Sequence, residues 1–438
     1  MLDAIDHEES IEQSIPAKTS ELKLTEGQNK ALNQMLSFVI DSQESIFVLR
    51  GNSGCGKSTL MKEFVKRYPK FVAAYKLVDP NFKEKDLQLT ATTNKAAEAL
   101  HLLTGNEVLT IHSFLYLRPQ KDFKTGEIEM VPSPMSEARD YVVVIDEASF
   151  IDWKFLKLIL SCMKDCKVIF VGDPEQIVQV NAKDAPVFDG RYKGAELTEV
   201  VRQRAADGSS TLHPITELGM AFRDVVVDGD WSRQFPVDGN FVKHLNWDDF
   251  SAEVRKEFSR PDWGYKDAKL LAWTNKRVTE FNNAVREIAM GDANISEGDY
   301  CTVNSFVKAS RGSLKTDELV HVKAVYPDIH QFGVLGRYIE LDKGKVFVPY
   351  SLEAKKQAIK LAREQERYSD ALKMETDWAD LRPVYACTIN KSQGSTFDKV
   401  FIDLSDVARC NNGNTIARLL YVAVTRARHQ VFLTGDLA

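Results

Sequence analysis

The sequence predicts an α/β protein with two parallel sheets, a β-hairpin inserted in the first unit, and a β-barrel plus helical arm inserted in the second. Three observations predict it. Short apolar strands alternate with amphipathic helices, the pattern of parallel sheets covered by helices on both faces. Two β-like runs around KTGE interrupt this alternation at residues 116–134. Short strands with glycines, then a charged helical stretch, interrupt it again at residues 296–383.

The first α/β unit is predicted over residues 21–189. It follows a polar, acidic stretch at residues 1–20 without periodicity, which predicts a disordered tail. LTEGQNKALNQMLSFVI is typical of an amphipathic helix with Thr25 as its cap. Apolar strands follow in SIFVLRG, LQLTA, YVVVI and CKVIFV. Since polar residues come directly after these strands, functional groups are expected at the carboxyl edge of the sheet.

The second α/β unit is predicted over residues 190–295 and 384–438, on either side of the insertion. It includes a strand and helix in AKLLAWTNKRVTEFNNAVREI and resumes at VYACTINKSQG, FDKVFID, RLLYVAVTRAR and QVFLTG. Within the insertion, the part up to Tyr350 predicts a small barrel. The part beyond it predicts a long charged helix or a helix pair.

Charge and hydropathy exclude several classes of protein. The net charge is −6, so any grip on nucleic acid must come from a local channel and not from a generally basic surface. No apolar run approaches the roughly 18–20 residues of a membrane span. The acidic N-terminus has no apolar signal core, which argues against a secretory address. We therefore expect no membrane partner.

The six cysteines do not form a metal-binding pattern. Only Cys162 and Cys166 are close in sequence, and the eight histidines show no matching cluster. We expect structural thiols in a reducing compartment.

A glycine loop between a predicted strand and a predicted helix is the strongest functional signal. GNSGCGKST fits the phosphate-binding pattern G-x-x-x-x-G-K-[ST], in which backbone amides and a helix N-terminus hold phosphate oxygens. Lys57 is expected to reach the β- and γ-phosphates of ATP, Ser58 to ligate Mg²⁺, and Thr59 to add a phosphate contact. The predicted nucleotide-binding residues of the loop are Gly51, Asn52, Ser53, Gly54, Cys55, Gly56, Lys57, Ser58 and Thr59.

Three further polar residues follow apolar strands of the first unit. Asp146, together with Ser58, is expected to contribute to the coordination shell of Mg²⁺. Glu147 is expected to activate the attacking water. Gln176, in GDPEQ after the next strand, is placed to sense the γ-phosphate.

Two arginines of the second unit are candidates for stabilising transition-state charge, Arg202 in LTEVVRQ and Arg426 in YVAVTRAR. If both reach the phosphates, ATP lies between two domains, and its turnover opens and closes the cleft.

The ordered set LTEGQ, GNSGCGKST, TATTNKAA, TIHSFL, IDEAS, VGDPEQ, LTEVVRQ, TINKSQGSTF and YVAVTRAR resembles the superfamily 1 helicases, in particular their Dda-like and RecD-like members. The resemblance covers most of residues 24–435. It implies two RecA-like P-loop domains, an SH3-like barrel in the insertion, and a pin at the hairpin that splits the duplex.

The resemblance also implies roles for residues around the nucleotide. Gln28 would read the adenine edge, Arg202 and Arg426 would be arginine fingers, and Gly394 would sit by the γ-phosphate.

Contacts to DNA are implied in the same way. Where relatives commonly carry His, this chain has Asn390, which cannot become charged and stacks less well. Trp273 is interpreted either as a stacking residue or as a core aromatic, and Phe123 either as the base-stacking tip of the pin or as an exposed hairpin residue. The other implied contacts are Thr92, Asn94, His112, Asn275, Thr388 and Ser392.

The expected function is an ATP- and Mg²⁺-dependent DNA helicase that translocates on single-stranded DNA and unwinds forked duplexes in replication or recombination. The 5′ to 3′ direction follows from the resemblance alone. We expect a monomer in the cytoplasm, of a bacterial host if phage-encoded, with single-stranded DNA-binding protein or replication and recombination proteins as possible partners. Three alternatives stay open: a translocase or remodelling subunit without unwinding, an RNA helicase, and a P-loop nucleotide or metabolite kinase. The kinase would explain residues 51–59 but neither the second α/β unit nor Arg426.

Overall fold

The computed structural model describes residues 24–121, 128–177, 185–199, 212–291 and 294–437. The predicted acidic tail therefore lies outside the described residues. The strands, in chain order, are β1 (Ile46–Gly51), β2 (Asp86–Ala91), β3 (Val108–Thr110), β4 (Arg118–Lys121), β5 (Ile128–Val131), β6 (Ala138–Arg139), β7 (Tyr141–Asp146), β8 (Met163–Lys164), β9 (Lys167–Gly172), β10 (Gly194–Leu197), β11 (Val242–Leu245), β12 (Ala268–Ala272), β13 (Tyr300–Val303), β14 (Val307–Ala309), β15 (Gly312–Leu314), β16 (Leu319–His321), β17 (Ala324–Gln331), β18 (Val334–Leu341), β19 (Gly344–Pro349), β20 (Leu381–Pro383), β21 (Ala386–Thr388), β22 (Phe397–Asp403) and β23 (Ala427–Thr434).

Most of the described helices, though not the two that begin at Lys57 and Tyr368, begin after a residue whose side chain accepts a hydrogen bond from the first turn. Thr25 caps the first helix as expected, because its side chain accepts from Gln28 N while the Gln28 side chain accepts from Thr25 N. The helices are α1 (Glu26–Ile40), α2 (Lys57–Val78), α3 (Asn94–Thr104), α4 (Ile111–Phe114), α5 (Trp153–Ser161), α6 (Pro214–Asp228), α7 (Trp247–Phe258), α8 (Asn275–Met290), α9 (Leu352–Glu364), α10 (Tyr368–Asp377), α11 (Leu404–Val407) and α12 (Gly413–Thr425).

A six-stranded parallel sheet in the order β10-β1-β9-β7-β2-β3 forms the first half of the molecule. The placement of residue 190 as the start of the second unit is wrong for β10, which pairs in parallel with β1. The reason lies in packing: Ala195 and Leu197 alternate inward and join the apolar cluster between this sheet and α1.

A five-stranded parallel sheet in the order β11-β23-β22-β12-β21 forms the second half. Strand β12 is buried throughout and β22 is buried from Val400 to Asp403, as expected of a sheet covered on both faces. Together the two sheets confirm the predicted α/β class. The helix α12 is buried on all sides over residues 417–424, since it packs on α6 and also faces the six-stranded sheet.

The insertions have the predicted secondary structure. Strands β4 and β5 pair in antiparallel fashion, with Arg118 opposite Val131, but the hairpin tip lies outside the described residues. Residues 300–349 form small antiparallel sheets, and the charged stretch is a helix pair, α9 and α10. Closure of these strands into an SH3-like barrel stays a prediction.

A buried ion pair joins α8 to the start of the insertion. The side chains of Arg286 and Asp299 are 0% and 5% exposed, and Arg286 Nε donates to Asp299 Oδ2 at 2.9 Å. The same oxygen accepts from Ser296 N at 2.7 Å. The pair therefore connects the insertion to α8, which packs on β12 and β21 of the five-stranded sheet.

We expect Arg286→Ala to lower the free energy of unfolding by about 3–5 kcal/mol, because it leaves the Asp299 carboxylate buried without its cation. Urea denaturation measures this loss. Arg311→Ala is the control, since Arg311 pairs with Glu340 at the surface, where the loss should be below about 1 kcal/mol. Equal losses for the two variants would contradict the prediction.

All six cysteines are free thiols, of which Cys55, Cys162, Cys166 and Cys301 are buried. Across the described ranges, none of the helices combines the length and apolarity needed to cross a bilayer.

Candidate active site

The glycine loop follows β1 and turns directly into α2. Gly54 and Gly56 have φ values of 81° and 83°, in the left-handed region that favours glycine, and Gly56 caps α2. Lys57 Nζ donates to Gly51 O at 2.6 Å and to Asn52 O at 3.0 Å. The loop thus presents a helix N-terminus and an ammonium group at one place, the arrangement that binds phosphate.

Cys55 lies inside this loop as a packing residue. It is 1% exposed, and a Cβ added at Gly51 would come within 2.5 Å of its sulfur. Burial raises the pKa of the Cys55 thiol, which favours a passive side chain over a reactive one.

Two carboxylates end β7 beside the glycine loop. The run Tyr141–Asp146 is rich in β-branched residues and its central part is completely buried, which delivers Asp146 and Glu147 to the carboxyl edge of the sheet. Glu147 adopts φ 54° and ψ 44°, a left-handed conformation that costs a non-glycine residue about 1–2 kcal/mol. Asp146 Oδ1 accepts from Glu147 N at 2.9 Å. Such strain, held in place by the surrounding sheet, points to a functional role for the Glu147 side chain.

Electrostatics link these carboxylates to both halves of the molecule. Burial raises the pKa of Glu147 to about 7; Asp146 adds to the rise, while Arg426 opposes it. Burial also raises the pKa of Asp146, opposed by Lys57. Arg426 follows α12 and is 6% exposed, and burial lowers its pKa while Glu147 raises it. A cation at the end of α12 therefore interacts electrostatically with the candidate base of the six-stranded sheet.

The 173–176 loop after β9 is held from the other half of the molecule by several side chains. Gln176 is 3% exposed, and its Oε1 lies 3.5 Å from Gln393 Nε2. Arg418 Nη1 donates to Pro174 O at 2.7 Å and to Gln176 O at 2.8 Å. Gln176 is therefore in the cleft between the sheets, where its predicted sensing role requires it.

Glu175 of the same loop faces Arg223 of α6, with Nε and Oε2 3.5 Å apart. Burial raises the pKa of Glu175 to about 7, and the neighbouring Asp173 adds to the rise. This ion pair is a further contact by which the second half of the molecule holds the 173–176 loop.

Gln28 braces the glycine loop. Its Nε2 donates to Cys55 O at 3.0 Å, and its Oε1 accepts from Thr25 N at 3.0 Å. Its amide is thus engaged on both sides, and contact with adenine stays a prediction. Gly394, with φ 74°, has Lys95 and Ala96 of α3 as its nearest neighbours across the cleft, and its place beside the γ-phosphate also stays a prediction. Arg202 and Phe123 lie outside the described residues.

Candidate nucleic-acid contacts of the six-stranded sheet follow the carboxyl ends of β2 and β3. Thr92 Oγ1 donates to Glu147 O at 3.0 Å, which connects this edge directly to the ATP site. Asn94 is exposed at the first turn of α3. The His112 ring stacks on Phe155 with centroids 4.5 Å apart, and burial lowers the His112 pKa.

A cleft of about 420 Å³ opens at this edge. It reaches from Thr92 and His112 to β5 of the hairpin and to α5. Its lining residues are Thr92, Thr93, His112, Glu129, Met130, Phe150, Asp152, Lys154, Phe155 and Leu158.

Candidate contacts of the five-stranded sheet follow β12 and β21. Asn275 is exposed at the start of α8, where its Oδ1 accepts from Arg382 Nη1 at 3.0 Å. Trp273 is half-buried against the sheet core, and its backbone N donates to Asp406 at 2.7 Å, which agrees with a core aromatic that has one open face. Thr388 and Asn390 are half-buried at the end of β21 and in the turn after it.

The structure contradicts one predicted DNA contact. Ser392 is 0% exposed, and its Oγ donates to Ile389 O at 2.6 Å. Its hydroxyl closes the short 3₁₀ turn Asn390–Ser392 and is not available to a ligand. Lys95 Nζ donates to Lys391 O of the same turn at 2.8 Å, so this turn joins the two sheets.

Comparison with known proteins agrees with this divided site. The AAA domain model matches residues 23–218, which include the whole six-stranded sheet, and the UvrD-like helicase C-terminal domain model matches residues 383–434. The ATP-dependent DNA helicase dda of Enterobacteria phage T4 is 25% identical over 465 residues, covering 93% of this chain and 98% of that protein. The chain is a superfamily 1 helicase. It is therefore an ATP-hydrolysing enzyme.

Other relatives of the helicase are more distant or longer. The ATP-dependent RecD2 DNA helicase of Deinococcus radiodurans is 23% identical over 429 residues, which cover 93% of this chain and 49% of that protein. Among solved structures, the Pif1 helicase from Bacteroides in complex with ADP-AlF3 and ssDNA aligns with 95% of this chain and 94% of its own, at a TM-score of 0.48 and 17% identity.

Sequence reasoning missed the residues with which the helicase holds its two sheets together. Arg418 and Tyr421 lie on α12 in the quoted segment RLLYVAVTRAR, and Asp173 lies in GDPEQ. Tyr421 is three residues beyond Arg418, and Asp173 is three residues before Gln176. This spacing is the signal that could have found them, because residues three apart on a helix share a face and Asp173 shares a loop with Gln176. Arg223 on α6 has no such signal, since α6 carries none of the quoted motifs.

Proposed function

We propose that this ATP-hydrolysing DNA helicase translocates 5′ to 3′ on single-stranded DNA and unwinds duplex DNA ahead of it. One observation carries the proposal: the ATP-site residues are divided between two sheets whose carboxyl edges also hold the candidate nucleic-acid contacts. Thr92 is a candidate DNA contact, and its hydrogen bond to Glu147 O connects it to the ATP site. A change in the separation of the sheets during turnover would therefore move one set of DNA contacts relative to the other.

The chemistry is assigned to side chains already close together. Lys57 neutralises charge on the β- and γ-phosphates, and Glu147, whose pKa is raised to about 7, takes a proton from the attacking water. Arg426 stabilises the charge that develops on the transferred phosphoryl group. The spacing of Glu147 and Arg426 depends on contact between the sheets, so hydrolysis depends on closure of the cleft.

Mg²⁺ fits the oxygen donors at this edge. Ser58, exposed in the first turn of α2, and Asp146 would hold it, since a hydroxyl and a carboxylate are ligands that Mg²⁺ prefers. The ion would supply neutralisation of phosphate charge when bound. Among the described residues no cluster of three or more His, Cys, Asp or Glu side chains suggests another metal.

Single-stranded DNA is proposed to lie across both carboxyl edges, from Thr92, Asn94 and His112 to Asn275 and Thr388. Phosphates would meet hydroxyl, amide and backbone groups, and bases would stack on aromatic rings. The β4–β5 hairpin adjoins this path, because Glu129 and Met130 line the same cleft as His112. That position supports its proposed role as a pin, with Phe123 near its tip.

Strand displacement from tailed duplexes of both polarities tests the proposal. We expect unwinding of the substrate with a 5′ single-stranded tail, and Lys57→Ala as the control should abolish it. DNA-stimulated ATPase without displacement on either tail would favour a translocase that does not unwind. Equal or stronger ATPase stimulation by RNA would favour an RNA helicase.

We also propose a biological setting for the unwinding activity. Unwinding of forked duplexes suits replication or recombination, with single-stranded DNA-binding protein or other proteins of these processes as partners. The enzyme would act as a monomer in the cytoplasm, of a bacterial host if phage-encoded.

A further inference from the structure

A tyrosine on α12 reaches from the five-stranded sheet into the glycine loop. Tyr421 Oη accepts a hydrogen bond from Ser53 N at 2.7 Å and donates one to Asp173 Oδ2 at 2.6 Å. The side chain is 1% exposed and Asp173 is 0% exposed. One phenol therefore connects three segments: α12, the glycine loop and the 173–176 loop.

Loss of either hydrogen bond of the Tyr421 hydroxyl would destabilise the structure. The bond to Asp173 is buried and the bond from Ser53 N is partly buried, and a buried polar group that loses its partner bears the full desolvation penalty. The desolvated phenol keeps its proton, because burial raises the Tyr421 pKa well above its ordinary value and Asp173 adds to the rise. Its donor and acceptor directions are thus settled: the amide donates to the phenol, and the phenol donates to the carboxylate.

The helix that carries Tyr421 also carries the other cross-cleft groups. Arg418, three residues before it, donates to the carbonyls of Pro174 and Gln176. Arg426, one residue beyond the end of α12, interacts electrostatically with Glu147. Because α12 is continuous from residue 413 to residue 425, a contact at Tyr421 constrains where Arg426 lies.

We propose that Tyr421 is a positioning residue for ATP hydrolysis: its phenol, bonded to Ser53 N and Asp173, sets the distance between α12 and the glycine loop and thereby places Arg426 against Glu147. The inference rests on the proposed function, since it assigns Tyr421 to the same hydrolytic site. Tyr421 acts through Arg426 and does not itself take part in phosphoryl transfer.

The variant Tyr421→Phe removes the hydroxyl and keeps the ring. We expect kcat of the DNA-stimulated ATPase to fall about tenfold, because a small misplacement of a group that acts in the transition state has a large effect on the rate. We expect KM for ATP to change by less than about threefold, since the amides and Lys57 that hold the ground state remain.

Tyr68→Phe is the matched control. Tyr68 is also a buried tyrosine (4% exposed), and its hydroxyl donates to Lys85 O at 2.5 Å, within the six-stranded half. Both variants should lose similar thermal stability, but only Tyr421→Phe should lose kcat. A second variant, Asp173→Asn, alters the acceptor of the same hydrogen bond. It tests the inference independently if Tyr421→Phe folds poorly.

A double-mutant cycle distinguishes a shared bond from two unrelated defects. If Tyr421 and Asp173 act through one contact, the double variant should lose about as much kcat as the more affected single variant. A kcat of Tyr421→Phe within twofold of the unaltered enzyme, an equal loss in Tyr68→Phe, or multiplicative losses in the cycle would overturn the inference. Failure of the proposed function would appear instead in the unaltered enzyme, as absent DNA-stimulated ATPase.

Discussion

Lys57→Ala is expected to lower kcat for ATP hydrolysis by at least about 100-fold, because it removes the cation that stabilises charge on the β- and γ-phosphates. In the structure its ammonium group lies over the first carbonyls of the glycine loop, Gly51 O and Asn52 O. These are groups at the edge of the cleft and not in an apolar core, so the fold should survive the change. Steady-state ATPase with saturating single-stranded DNA measures the loss.

Lys66→Ala on the exposed side of the same helix is the control for Lys57→Ala. It removes the same charge and the same chain length from α2, and it should leave kcat within about twofold, as surface substitutions usually do. Substantial turnover by Lys57→Ala would show that the nucleotide site lies elsewhere. Matching circular dichroism spectra of the two variants would show that the fold is intact.

Arg426→Ala is expected to lower kcat by about 10³- to 10⁵-fold, the range of a lost arginine finger. Its guanidinium group is buried, is held by Val422 O at 3.1 Å and lies near Glu147. Since it comes from the opposite half of the molecule, its removal should spare nucleotide binding by the glycine loop. Fluorescent ADP titration should therefore give a dissociation constant close to that of the unaltered enzyme.

Arg428→Ala controls for Arg426→Ala. Arg428 is two residues further along the chain, is exposed, and pairs with Asp398 at 3.1 Å. Loss of this surface pair should change stability by less than about 1 kcal/mol and leave hydrolysis unaffected. If Arg426→Ala hydrolysed ATP as fast as Arg428→Ala, the site would be complete within the six-stranded half, and ATP would not need the cleft to close.

The losses of kcat expected for Lys57→Ala and Arg426→Ala have different structural origins. Lys57 stands at the start of α2, and Arg426 stands across the cleft. The first variant tests the glycine loop alone, while the second tests the contact between the sheets. Tyr421 connects these two places, and its smaller expected effect follows from its acting only through Arg426.

The sequence by itself determined the local parts of this enzyme. The glycine spacing of residues 51–59, the cap at Thr25 and the acidic end of β7 each depend on neighbours within a few residues, and each was predicted at the position where the structure has it. Parallel strands carry their functional groups at the carboxyl edge, so the sequence also predicted where these groups would meet.

The tertiary structure alone decided which sheet and which partner each group has. β10 joins the first sheet because Ala195 and Leu197 pack against its core, although the chain order suggested the second. Ser392 points into its own turn and not towards a ligand. The phenol of Tyr421 meets Ser53, 368 residues away in sequence. Such contacts depend on the packing of α12 between two sheets, and neither spacing nor periodicity along the chain encodes that packing.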